Sequence, residues 1–254
     1  ILLILAGAIV ENIRGIALGT CVTLLVPAGE RDKANGLVGM VLGVGFGLTS
    51  VFSGLAVGLL GMTWVIGISV VVTGLAWLHL LTVRMHEPEI VHADGVPKAV
   101  DFAGAFKAVR AVPGLVALLV FNTFNNFLGG TFMALMDPYG LTLVSVQVWG
   151  VLWGVLSFGF ILGGAWVARF GLGSRPVRAL LHCNIVMWLV SIGFTLRENI
   201  WLMAGGILVY MALIPIVEAA EQTVLQRVVP FAQQGRVFGL AQSVEVSAAP
   251  ISAF

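Results

Sequence analysis

Long apolar runs separated by short polar breaks make up almost the whole of this chain. A helix of about 20 mostly apolar residues crosses the roughly 30 Å hydrocarbon layer of a bilayer. By that ruler the sequence predicts eight spans, at 1–26, 35–60, 63–83, 113–136, 143–167, 177–196, 200–224 and 236–254. Two of the breaks restate one another. Val26-Pro27-Ala28-Gly29-Glu30-Arg31-Asp32-Lys33-Ala34-Asn35-Gly36-Leu37 shares Val, Pro, Gly and Leu with Val229-Pro230-Phe231-Ala232-Gln233-Gln234-Gly235-Arg236-Val237-Phe238-Gly239-Leu240, 203 positions on. Lys33 is answered by Arg236. Each break closes one run and opens another, and a repeat in matching places is how many transporters are built.

One break is long. Pro88, Gly95 and Pro97 mark its first part as linker, and Asp101–Arg110 then sets Phe102, Phe106 and Val109 on one helical face while Lys107 and Arg110 reach water. That pattern predicts an amphipathic helix at the membrane interface. The chain divides accordingly into a three-span part (1–83), a linker with its helix (84–112) and a five-span part (113–254). His86 and His92 share the linker with Glu87, Glu89 and Asp94, a set expected to be solvated and not to hold a metal.

Composition supports the span count. The chain is 59% hydrophobic and 10% charged, against about 25% charge in ordinary globular proteins, so an integral membrane protein is expected, with lipid and not nucleic acid around it. Charge then sets orientation. Eleven of the 13 Lys and Arg fall on one side of the predicted spans, Arg197 falls on the other and Arg14 lies within a span; the crowded side is cytoplasmic by the positive-inside rule. Cys21 and Cys183 stand far apart in apolar runs and are expected to be buried packing thiols. Gly39, Gly43 and Gly47, and again Gly54 and Gly58, recur every four residues, giving the second span two small faces for close helix packing. The string Gly43-Val-Gly45-Phe-Gly47 lacks the strand that a dinucleotide fingerprint requires.

Ionisable groups at membrane depth cost about 2.5–3.5 kcal/mol on insertion scales, so each needs a reason. Glu11 and Arg14 sit at i,i+3 in the first span; they are either a self-neutralised packing pair or part of a functional site. Glu218 and Glu221 repeat that spacing in the seventh span without a base beside them, so desolvation and repulsion favour a proton on at least one. Pro215 interrupts the same span. Glu245 lies in the eighth. Asn122, Asn125 and Asn126 share one face of the fourth, forming either a hydrogen-bonded seam or a wet cavity wall. No Ser–His–acid or Cys–His set and no phosphate loop stands in a recognisable motif, so neither an enzyme nor a nucleotide-driven pump is expected.

Three stretches carry a resemblance. They are Val26-Pro27 followed by Ala34-Asn35-Gly36-Leu37, Val229-Pro230 followed by Gly235-Arg236-Val237-Phe238-Gly239-Leu240, and Ala105-Phe-Lys-Ala-Val-Arg-Ala-Val-Pro-Gly-Leu115. With the two halves and the linker, they resemble the major facilitator superfamily, and within it the macrolide and siderophore exporter type of drug efflux protein. The resemblance implies an all-α bundle of two pseudo-symmetric halves in which these spans are helices four to eleven, both ends being cuts in a longer chain. It implies a monomeric secondary transporter of the bacterial inner membrane, without cofactor or metal, exporting an amphipathic small molecule in exchange for protons. The counterparts of its fourth, seventh and tenth helices line the central cavity. That points to Glu11, Arg14, Glu218, Glu221 and Glu245 for proton coupling and to Asn122, Asn125 and Asn126 for substrate, with Phe121, Phe124, Trp149 and Trp153 as apolar wall. The superfamily's cytoplasmic signature stands at Gly164-Ala-Trp-Val-Ala168-Arg169-Phe170-Gly171, with Ala168 in place of its acid. The second span also lacks the Gly-Pro pair that antiporters carry there. A proton-independent or inward-moving permease, or a non-transporting sensor on the same scaffold, are the rival readings.

Overall fold

The computed structural model describes residues 2–83 and 102–253, and among them it shows ten α-helices and no strand. Helices α1 (Leu2–Leu25), α2 (Arg31–Leu60) and α3 (Met62–Thr82) precede the long break, and α4 (Phe102–Ala111) follows it. Then come α5 (Leu115–Leu143), α6 (Val146–Leu156), α7 (Phe158–Phe170), α8 (Pro176–Thr195), α9 (Ile200–Val228) and α10 (Phe231–Ala253). A helix stands at each of the eight expected spans. Among the described residues, five segments are both long and apolar enough to cross a bilayer: Met62–Thr82, Leu115–Leu143, Val148–Phe170, Pro176–Thr195 and Ile200–Val228. The linker histidines and acids lie outside the described residues.

Local chemistry sets the helix ends. The Asn199 side chain accepts the Trp201 and Leu202 N–H groups and caps α9, satisfying donors that the first helical turn leaves open. Pro176 opens α8, where its missing N–H is not needed. Gly171 closes α7 at φ 70, a left-handed φ that favours glycine. The structure corrects two boundaries. The fourth span does not stop at 136 but runs through Pro138 to Leu143. The fifth is broken at Ser157, whose hydroxyl donates back to the Gly154 carbonyl at 2.7 Å.

Lipid is as apolar as leucine, so burial alone does not drive these helices together; close packing through small residues does. The Gly36–Gly39–Gly43–Gly47 face of α2 lies on α7 and α9. A Cβ on Gly36 would stand 2.6 Å from the Val167 Cβ, one on Gly43 2.6 Å from the Phe160 Cβ, and one on Gly39 2.9 Å from the Pro215 Cβ. From the other side, Gly163 abuts the Ala212 carbonyl oxygen and the Pro215 ring, and Gly164 abuts the Met40 backbone. By contrast, α3 buries no residue and touches mainly α2. Two apolar clusters complete the bundle, one around Leu119, Leu225 and Phe238 and one around Trp149, Phe194 and Ile207. Cys21 and Cys183 are free and only partly buried.

The linker helix is held differently from the expectation. Val109 is 2% exposed and packs in the cluster with Leu119, Leu225 and Phe238, while Phe106 is 49% exposed. The Arg110 guanidinium lies 4.4 Å from the Phe106 ring centre. Thus α4 docks on α5 and α10 through Ala105 and Val109, and Phe106 faces outward.

Two outcomes follow from this packing. Val109→Asp should free α4 and expose Lys107 and Arg110 to trypsin, whereas Phe106→Ser should leave digestion close to the parent's; equal digestion of both variants would contradict the docking. Gly163→Val should destabilise the bundle by about 1–3 kcal/mol through overpacking, read as a lower melting temperature in detergent. Gly150→Ala, where a Cβ meets nothing within 4 Å, should not.

Candidate functional site

A cavity of about 310 Å³ lies between α1, α2, α5, α9 and α10. Its wall carries Gly15 and Gly19 from α1, Asn35 and Gly39 from α2, Asn126 from α5, Glu218, Glu221 and Gln222 from α9, and Gln242 and Glu245 from α10. The helical repeat brings these together. Glu218, Glu221, Gln222 and Leu225 fall at i, i+3, i+4 and i+7 on one face of α9. Glu218 stands ten residues before Val228, about 15 Å from that end at helical rise, which is mid-depth in a layer of roughly 30 Å. Its side chain is exposed on the cavity wall. The Glu221 and Glu245 carboxyls meet across the α9–α10 contact, with the Asn122 amide beside both.

The sequence-predicted residues divide into those at the cavity and those away from it. Glu218, Glu221, Glu245 and Asn126 line it, and Asn122, 4% exposed, stands behind the acids. Asn125 does not: its Oδ1 accepts the Trp188 indole N–H at 2.7 Å, a seam between α5 and α8. Phe124 is 59% exposed. Trp149 and Trp153 are also away from the cavity, packed in the cluster around Phe194, where the Trp149 indole donates to Asp137 at 3.0 Å. Glu11 and Arg14 form a two-pronged pair at 3.0 and 2.5 Å and remain exposed at 64% and 54%, outside the cavity wall. Gly164 and Gly171 of the signature stretch serve contact with α2, while Arg169 is exposed with its guanidinium 5.8 Å from the Phe170 ring centre.

A second set of residues was not singled out by sequence. At the Lys/Arg-rich end of the cavity, the Asn35 amide donates to the Thr223 hydroxyl at 3.0 Å and to Gln226 Oε1 at 2.9 Å. Gln226 Nε2 in turn donates to the Gly19 carbonyl at 3.0 Å. Asn35, Thr223 and Gln226 are 7%, 0% and 3% exposed. Arg31 donates to the carbonyl oxygens of Thr23, Val26 and Gln226, tying the α1–α2 turn to the end of α9. Asp32 Oδ2 accepts the Leu172 N–H at 2.8 Å, just beyond α7. These bonds latch α1 and α2 to α7 and α9 beside the cavity. The available signal was the repeated break itself: Asn35 lies in the stretch 34–37 that the repeat marks.

A bundle of long apolar helices around a carboxyl-bearing internal cavity defines an integral membrane protein. The sequence model of the Major Facilitator Superfamily matches residues 1–253. The chain belongs to that family and is a membrane transporter of the superfamily. No curated protein and no solved structure matches it.

The latch makes its own prediction. Removing the Asn35 amide strands buried groups on Thr223 and Gln226, at about 1–3 kcal/mol per group, so Asn35→Ala should favour opening of that end. In a protein with Cys21 and Cys183 replaced by Ser, a cysteine placed at Val22 should react with an impermeant maleimide roughly tenfold faster in the Asn35→Ala background. An unchanged rate would show that other contacts keep the end closed.

Proposed function

We propose that the protein is a proton-coupled exporter of an amphipathic small molecule, working by alternating access between two halves, 1–83 and 113–254. The observation that carries this reading is the carboxyl cluster of Glu218, Glu221 and Glu245 on the wall of a mid-depth cavity next to a polar latch. Alternating access needs a site near the midplane and contacts that break on one side while they form on the other. The cavity supplies the first and the Asn35–Thr223–Gln226 cluster supports the second. The Lys/Arg bias places the latched end on the cytoplasmic side, and the outward direction of transport rests on the resemblance to drug efflux proteins.

Proton coupling follows from electrostatics. Carboxylates facing one another at this depth repel and are poorly hydrated, so the Glu221–Glu245 pair is a place where a proton can be taken up and released. Glu218 faces the cavity water, and its charge depends on whether that water is continuous with one side of the membrane or sealed off. Opening toward the more alkaline side releases the proton, and closure favours its uptake. The Glu11–Arg14 pair, exposed and mutually neutralised, is the weaker candidate for this role.

The test is transport in proteoliposomes with and without an imposed pH gradient. Glu218→Gln fixes the neutral form at nearly constant shape, so it should abolish gradient-driven accumulation and flatten the pH dependence of the rate, while exchange without a gradient persists. If Gln variants at Glu218, Glu221 and Glu245 all concentrate substrate as the parent does, these acids are structural and the coupling lies elsewhere.

A further inference from the structure

We propose that the two repeated breaks form one two-sided junction that is fastened from one side only. Arg31, in the α1–α2 break, ties the repeats together, while Gln234, its counterpart in the α9–α10 break, holds only its own repeat. Opening of the junction releases Arg31 from Gln226 and leaves it on Thr23 and Val26. The inference goes beyond the transport reading, because it concerns the contact that sets the balance between a closed and an open form and involves neither substrate nor protons.

The repeat seen in the sequence is also a relation in space. An offset of 203 residues pairs α1 with α9 and α2 with α10, and equivalent residues come to the same place. Gly15 and Glu218, Val22 and Leu225, and Leu42 and Glu245 are such pairs, and all six line the cavity. Gly19 and Gln222 are another pair, and these face each other directly: a Cβ on Gly19 would stand 3.0 Å from Gln222 Oε1. Contact between the same patch on two units is the mark of a two-fold relation. Its approximate axis passes between α1 and α9 at Gly19 and Gln222.

Hydrogen bonds follow the relation and then depart from it at one position. In the first break Arg31 Nε donates to the Val26 carbonyl, five residues back, at 3.2 Å. In the second, Gln234 Nε2 donates to the Val229 carbonyl, also five back, at 3.1 Å. Arg31 goes further: its Nη2 donates to the Thr23 carbonyl at 3.0 Å and its Nη1 to the Gln226 carbonyl at 3.2 Å. Thr23 and Gln226 are themselves equivalent residues, so Arg31 grips the same carbonyl on both sides of the axis. Gln234 has one amide nitrogen to give, and its buried Oε1 meets no donor among the described residues. A planar guanidinium with five N–H groups can serve three carbonyls at once. Two of those three lie in its own repeat, so separation of the repeats costs it only the Gln226 bond. It stays oriented for closure, which lowers the ordering cost of fastening again.

Spin labels on cysteines placed at Lys33 and Arg227, both exposed, read the separation between the start of α2 and the end of α9. The measurement is a distance distribution by pulsed electron resonance in lipid nanodiscs, with Cys21 and Cys183 replaced by Ser. Arg31→Gln puts the residue of the second break into the first and keeps a donor for Val26. It should raise the ratio of longer to shorter distances at least about tenfold, the worth of one hydrogen bond from a charged donor. Gln234→Met, similar in length but without the amide, should leave the distribution as in the parent. Parent-like melting curves establish that each variant is folded; should the glutamine variant melt early, Arg31→Lys keeps the charge without the fork and gives the same readout. An unmoved distribution in the folded Arg31 variant, or equal opening by Gln234→Met, overturns the inference. A protein that opens in this way but moves no solute ends the transport reading and keeps this one. Transport driven by a pH gradient with an unmoved distribution does the reverse.

Discussion

The glycine face of α2 against α7 and α9 is the contact on which the rest of this architecture depends. In water, apolar burial would bring these helices together without special residues; between lipid tails that drive is absent, and backbone proximity must replace it. Gly36, Gly39 and Gly43 let α2 lie almost backbone to backbone on Val167, Pro215 and Phe160, and Gly163 and Gly164 answer from α7. A side chain at any of these positions would displace a helix. Because α2 is seated so closely, Asn35 at its start reaches Thr223 and Gln226, and Asp32 reaches the turn after α7.

The latch and the cavity thus have one geometric origin. Neutral amides and a hydroxyl, buried and mutually bonded, tie α1 and α2 to α9 beside the cavity, and each partner depends on the others because an orphaned buried group costs about 1–3 kcal/mol. Such a cluster is poised: it is strong while complete and weakens together when one member moves. The superfamily signature places an acid where this chain has Ala168. Here Asp32 arrives from α2 instead and bonds the Leu172 N–H beside Gly171, so the contact between the two sets of helices is made by an acid from the opposite side.

Proline has two parts in the same scheme. Pro215 removes a helical donor in α9 three residues before Glu218, and its ring fills the space between Gly39 and Gly163. The interruption is tolerated because protein, not lipid, surrounds it. It also lines the cavity, and α9 runs through it as one continuous helix, so the proline and the carboxyls that follow it face the same chamber.

Periodicity and composition alone determined the helical membrane fold, the places of the eight helical stretches though not the end of the fourth or the break in the fifth, the glycine face of α2 and the acids of α9 and α10. Those features are local: run length, four-residue spacing and the cost of charge in hydrocarbon act within one segment. The shared break also marked where helices turn. What only the tertiary structure decided is which residues of different helices meet. Asn125 and Asn126 are neighbours in sequence, yet one bonds Trp188 and the other faces the cavity; Trp149 and Trp153 looked like cavity wall but pack around Phe194. The latch was invisible for the same reason, since Asn35 and Gln226 are 191 positions apart and neither has a charge whose presence in the membrane demands explanation. A helix's own sequence specifies its apolar and polar faces, but rotation about its axis and the choice of neighbour come from packing against the other helices, and those decide whether a buried amide is a seam, a gate or a site.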